Sequence, residues 1–368
     1  MKKTVYIIFL IFFIVIISAC NSQNSDFEVK RVENVNVRNS HGSVENVDIR
    51  NSHGSIEGIE KMIHFYEDVQ KGVPSNLRIV HYTTEGNPIV KDLNYDGEIL
   101  EVKHDSTRDT FGSGEIITII CGNMVEEVND TNTTYIAVDC ADGFYGMQEI
   151  LGIDYNMSQQ DLFEFELKYG LNEENEINTL TNTVKKENSN MGDLNITTDV
   201  KQEVYKKLVY ANYLAEKNLT TTCDTDSTTN YYLKVKINGG QREFQWGACD
   251  QSSDGMKFTN IANYIIEQSS NEQNEQLTVQ GYVLEMVENG ILIGEGLTML
   301  DYLLIKEELQ QINYEHYIFD FTILEGVDTN VFTLGDKIVA TLEGNIIGSK
   351  PGRAKVEDIK KIEKWNAN

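Results

Sequence analysis

Residues 77–103 read LRIVHYTTEGNPIVKDLNYDGEILEVK, and this stretch decides the fold. Leu77–Tyr82, Pro88–Leu93 and Glu98–Lys103 are rich in Ile, Val, Thr and Tyr. The turns Glu85-Gly86-Asn87 and Tyr95-Asp96-Gly97 divide them, so three short strands are expected. Two more apolar runs, Glu115–Cys121 and Thr134–Cys140, extend the set. Upstream, Ile59, Met62, Ile63, Tyr66 and Val69 fall on one helical stripe, with Ser55 as expected N-cap and Gly72 at the C-terminal end. Residues 44–155 therefore form a first α+β unit.

Residues 156–199 read as a helix and a polar linker, since 172–198 show no apolar period and many Asn, Glu and Thr. A second α+β unit is expected at 200–270. Val204, Leu208, Ala211 and Tyr213 mark a helix, and Tyr231, Leu233, Val235 and Ile237 alternate with polar positions. Asn238-Gly239-Gly240 turns the chain into a strand carrying Phe244 and Trp246. A closing helix follows, capped by Ser253 or Asp254, with Phe258, Ile261, Ala262 and Ile265 as its stripe. Residues 277–364 contain a hairpin about Asn289-Gly290, a helix-like run over Leu297–Leu309 and further short strands, which suggests an OB-like small β-barrel. The expected fold class is α+β, with two disulfide-containing α+β units plus this barrel.

The N-terminus carries an address. Lys2 and Lys3 precede an apolar run from Val5 to Ile17 and the sequence Ser18-Ala19-Cys20, the pattern of a lipoprotein signal peptide over residues 1–19 with Cys20 as the lipidated residue. The run falls short of the roughly 20 residues of a membrane span, and the alternative is an uncleaved anchor helix. A membrane-bound protein held by lipid on the extracytoplasmic face is expected. Residues 20–43 follow as a polar tether containing the first copy of a duplicated twelve-residue element, VENVNVRNSHGS (32–43), repeated as VENVDIRNSHGS (44–55). His41 and His53 recur with the repeat, and duplication of a strand-and-turn element explains them better than a metal pair.

The formal charge is -27, and loss of residues 1–19 removes two lysines and no acid, bringing it to -29. Such a chain repels phosphate backbones, so no nucleic-acid partner is expected. Four cysteines besides Cys20 fall as two local pairs, Cys121 with Cys140 and Cys223 with Cys249, which in an exported chain reads as two disulfides. A zinc site built from the four thiolates is the alternative, although no spacing is C-x2-C or C-x4-C.

With these residues in view, two resemblances emerge. Residues 47 to about 150, carrying Asn51-Ser52-His53-Gly54, the run from Arg78 to Ile89, Asp96-Gly97 and Cys121 with Cys140, resemble the Bacillus-type lipoprotein domain of unknown function four-three-six-two. Residues 279–363, with Gly281-Tyr282-Val283, Leu334-Gly335-Asp336-Lys337-Ile338 and Ser349-Lys350-Pro351-Gly352-Arg353-Ala354, resemble domain of unknown function three-two-two-one, a small β-barrel module of Firmicutes lipoproteins. Neither resemblance implies catalytic residues or a cofactor.

Motifs for chemistry are sparse. Asp92, Asn94 and Asp96 open like a calcium loop, but position twelve is Lys103 where a bidentate Glu is required, and a plain hairpin turn is the competing reading. Asp250 to Gly255 offers oxygens better explained by helix capping. No G-x-S-x-G, H-E-x-x-H or phosphate-binding glycine loop is present. Trp246 with Tyr231 and Phe244 suits a sugar platform or, more readily, a core. The expectation is a binding or interaction module at the cell envelope, not an enzyme, whose partner is an envelope protein or wall polymer. A hydrolase of envelope polymer using carboxylates and a low-affinity calcium binder are the alternatives.

Overall fold

The structure, a computed structural model, describes residues 44–187, 189–223, 228–270, 277–308, 317, 319–348 and 350–362. The expected signal peptide and tether, Cys20, the first repeat copy and His41 lie outside them. The second copy builds β1 (Ile49–Ser52), a turn with His53 and Gly54 at positive φ, and the start of β2 (Ser55–Glu57). Helix α1 (Ile59–Gln70) follows. Its cap position is Gly58 at φ 82, where a Cβ would lie 2.3 Å from Asp48 O, so glycine is required there. Ser55, expected as the cap, instead donates to Asn212 Oδ1 at 3.0 Å.

Next come β3 (Ser75–Tyr82), β4 (Pro88–Tyr95), β5 (Leu100–Asp105) and β6 (Ile116–Cys121). With β1 and β2 they form a six-stranded sheet ordered β2-β1-β3-β4-β5-β6, in which β1 and β3 run parallel. A second sheet holds β7 (Asn123–Val128), β8 (Asn132–Val138) and β9 (Gln148–Asp154), with a bulge in β9 at Ile150. β10 (Phe163–Gly170), β11 (Asn175–Asn178), β12 (Thr183–Lys185), β13 (Gly192–Asp193), β14 (Asn230–Ile237) and β15 (Gly240–Gly247) make a third, ordered β13-β12-β11-β10-β14-β15. Helices α2 (Thr198–Tyr210) and α3 (Ser253–Gln268) flank the last hairpin in sequence. Ser252 caps α3, its side chain accepting from Gly255 N, in place of the expected Ser253 or Asp254.

The expected fold class is corrected. Strand outweighs helix, 44% to 19%, and the two supposed α+β units share one apolar core. That core runs from Ile49 through Tyr135 and Phe165 to Ile265 and draws on all three sheets and α1 to α3. The segment read as helix and linker supplies the missing strands. Phe163, Phe165 and Leu167 are buried and alternate with Glu164, Glu166 and Lys168, a period of two. Once β10 pairs with β14, β11 to β13 can add behind it, and Ile177 is fully buried. Cys121 and Cys140 lie at bonding distance, 2.07 Å, as do Cys223 and Cys249, 1.95 Å. The first pair ties the end of β6 to the chain just past β8, joining two sheets instead of closing a separate unit.

The C-terminal part is a closed five-stranded barrel: β16 (Thr278–Val287), β17 (Gly290–Glu295), β18 (Asp320–Glu325), β19 (Lys337–Leu342) and β20 (Gly352–Lys361), ordered β16-β17-β18-β20-β19. Only β18 and β20 pair in parallel. Val283, Ile291, Ile293, Leu324, Ile338 and Ala340 fill its interior. Helix α4 (Met299–Glu308) is inserted between β17 and β18.

Candidate binding edge on β6

β6 ends its sheet, and the ladder shows which of its groups are spoken for. Ser106 N donates to Glu115 O at 3.0 Å, and the register continues His104 with Ile117, Val102 with Ile119 and Leu100 with Cys121. Hydrogen-bonded pairs alternate along an antiparallel ladder, so these residues turn their amides toward β5 while Ile116, Thr118 and Ile120 turn theirs outward. Ile120 O accepts from Ala141 N at 2.8 Å. The N–H and C=O of Ile116 and Thr118 have no partner among the described residues.

The side chains match that open edge. Ile116, Ile117 and Ile120 are 41%, 46% and 40% exposed, and Phe111, in the β5–β6 loop, is 79% exposed. No Lys or Pro interrupts Ile116–Ile120, and such interruptions are how edge strands are usually kept from pairing. Several exposed apolar residues beside unpaired strand amides can accept an added strand from another chain.

The barrel's apolar face over β16 to β18 is closed. The outward face of β16 to β18 presents Tyr282, Leu284, Leu292, Phe321 and Ile323, all buried beneath Tyr302, Leu303 and Ile305 of α4. Strands 2 and 3 of an OB barrel ordinarily offer that face to ligands; here a helix occupies it. Sheet two seals the joint. Glu127 accepts from Tyr282 Oη at 2.5 Å, from Lys337 Nζ at 2.9 Å and from Met299 N at 2.7 Å, and the Lys337 and Glu127 side chains are only 9% and 11% exposed. Asn129 and Asn132 donate to Leu297 O and Gly296 O.

Beside this joint lies a polar cleft of about 170 Å³ lined by Asp154, Glu295 and Asp320 together with Asn132, Asn156 and Phe319. Burial, with Asp320 and Asp130 adding repulsion, raises the Glu295 carboxyl above its ordinary range against the hydrogen bond from Thr322. Asp130 is raised as well, by burial and then by Asp199. Three carboxylates thus line the cleft, with one ammonium beside them, Lys350 Nζ at 3.7 Å from Asp320.

The residues singled out from sequence have other work. Asp92 is bound by Arg78 Nε at 2.6 Å and Nη2 at 3.0 Å, Asn94 is exposed on the same strand, and Asp96 Oδ1 accepts from Glu98 N and Ile99 N, closing the turn. Among the described residues no group of three or more His, Cys, Asp or Glu is placed to hold a metal. Asp250 accepts from Thr220 N and Ser252 N. Trp246 is 1% exposed, stacks on Tyr231 at 5.1 Å and donates to Thr259, so it is core and not a platform.

Sequence reasoning passed over His81, Lys91 and His104. These share the inward face of β3, β4 and β5, because Lys91 pairs with Ile79 on one side and His104 on the other. A signal was present: polar residues at positions whose neighbours two residues away, Ile79 and Leu93, are core.

Residues 46–136 match the family model of a domain of unknown function, DUF4362. The match spans β1 to most of β8, so it includes the β6 edge and Cys121 but stops short of Cys140. No curated protein and no solved structure matches the chain.

Proposed function

We propose that this chain is a lipid-anchored binding module on the extracytoplasmic face of the membrane, which captures an extended segment of an envelope protein along β6. The observation that carries this reading is the pair of unpartnered amides and carbonyls at Ile116 and Thr118, flanked by exposed isoleucines. Added-strand recognition draws affinity from main-chain hydrogen bonds and specificity from alternate side chains. The export signal ending at Cys20 supports the location, and the two cysteine pairs suit an oxidising compartment. No helix among the described residues is long and apolar enough to cross a membrane, so acyl chains on Cys20 would supply the attachment. In this reading the barrel, resembling domain of unknown function three-two-two-one, is a rigid support, since α4 covers its outer face.

A photo-crosslinking residue at Lys103, opposite Thr118 in the register, tests the reading on intact cells. A discrete adduct that disappears in Thr118→Pro supports it. Absence of an adduct, or one indifferent to that change, contradicts it.

The acidic cleft favours a second reading, capture of a cationic group of a wall polymer or of calcium, or carboxylate-assisted hydrolysis of that polymer. Glu295→Gln abolishing turnover of wall preparations by residues 21–368 would select hydrolysis. Loss of calorimetric calcium binding in the same variant would select cation capture.

A further inference from the structure

The bulge in β9 leaves Ile150 without a partner in the register, and Lys91 takes the carbonyls of Glu149 and Ile150, at 2.9 and 3.0 Å. This ammonium therefore fastens the second sheet to the inward face of the first. His104 stands directly across the strand pair from Lys91, and His81 is its diagonal neighbour on β3, positions about 5 and 7 Å apart between Cβ atoms in a regular sheet. Asn51 Nδ2 lies 3.3 Å from His81 Nδ1 and donates to it, which places the neutral ring's proton on Nε2. That Nε2 is sealed from solvent and closes no hydrogen bond, although Ile150 O stands near enough to favour a charged ring.

We propose that this cluster is an acid-sensitive latch: protonation of His81 sets a second cation against Lys91 at the Ile150 carbonyl and frees β9 from the face of the first sheet. The charged groups facing the site are few. Glu149 draws on Lys91 and Asp105 on His104, while His81, Lys91 and His104 repel one another, and β1 contributes only the amide of Asn51. Among the described residues no carboxylate is hydrogen-bonded to His81, Lys91 or His104, so a proton added to His81 gains no direct counter-ion. Burial first, then Lys91 and His104, holds His81 neutral at about 4, well below a free imidazole, and the latch stays closed at neutral pH. Because β8 and β7 pair in series with β9, and Glu127 of β7 grips the barrel, opening the latch loosens the first sheet's hold on the sheet that carries the barrel.

Hydrogen exchange of the 148–152 amides in residues 21–368, read against β14 amides as an internal standard, tests the latch. Between pH 7.5 and pH 4.5 the opening of 148–152 relative to β14 should rise at least about tenfold, and His81→Asn should abolish the rise. Lys91→Met should leave β9 open at both pH values. Should His81→Asn fail to fold, His81→Gln provides the same readout. An unchanged ratio across this range, or the same rise in a folded His81 variant, overturns the proposal.

Discussion

Two apolar strand surfaces in this molecule met opposite fates. On the barrel, Tyr282, Leu284, Leu292, Phe321 and Ile323 lie under α4, and the joint to β7 is closed by Glu127 and Lys337. On β6, Ile116, Ile117 and Ile120 face solvent and two residues keep their backbone groups unspent. The hydrophobic effect treats both alike, at about 25 cal/mol per Å² removed from water. The difference lies in what the chain supplies as cover: the ten residues of α4 for the barrel, and nothing among the described residues for β6. A surface that the fold leaves open while closing another is where an external partner gains most.

The largest test attacks the closed surface. Glu127→Ala leaves the Lys337 ammonium, the Tyr282 hydroxyl and the Met299 amide without their acceptor at a nearly dry joint, and breaking a buried pair by removing one member costs about 3 to 5 kcal/mol. Urea unfolding should show that loss. A loss below about 1 kcal/mol would mean that the joint is not what keeps the barrel's face shut.

Next comes a contrast within β6. Ile119→Pro removes an amide that points into the ladder with β5 and should cost about 3 kcal/mol or more, read by thermal unfolding. Thr118→Pro removes an outward amide, a position where an edge strand tolerates proline, and should cost less than about 1 kcal/mol while abolishing the Lys103 adduct. If both prolines destabilise equally, the assignment of inward and outward amides is wrong.

Acid provides a further test. His81 titrates near 4 in the fold against an ordinary 6.5, so the unfolded chain binds more protons between those values. Stability is complete above about pH 6.5 and declines as pH falls toward 4, by at most about 3 kcal/mol from this residue. His81→Asn should flatten that part of the urea-unfolding profile. Ile117→Lys should have the smallest effect on stability, within about 0.5 kcal/mol for a surface change, while weakening docking.

Much of the first sheet was legible in sequence, because the turns at Gly86 and Gly97 interrupt runs of β-branched residues. β10 was equally written, in Phe163, Phe165 and Leu167, but the Asn-, Glu- and Thr-rich stretch after it masked a sheet with one wet face. The single core was not legible, because local period says which side of a strand is apolar and not which distant strand covers it. The same limit hid the open edge. Glu115 to Cys121 reads as one more apolar strand, and only the strand order, with β6 last, shows that it is an edge. The cover over the barrel's outer face is legible only from packing: the helix pattern of α4 says nothing of the face it closes.

Amide exchange at Ile116 and Thr118 tests the central claim most directly. In isolated residues 21–368 these two amides should exchange within about tenfold of an unstructured chain, while Ile117 and Ile119 stay protected. In the complex recovered through the Lys103 adduct they should slow by at least about a hundredfold. Protection already present in the isolated protein, or none gained in the complex, would contradict an open edge that waits for a partner's strand.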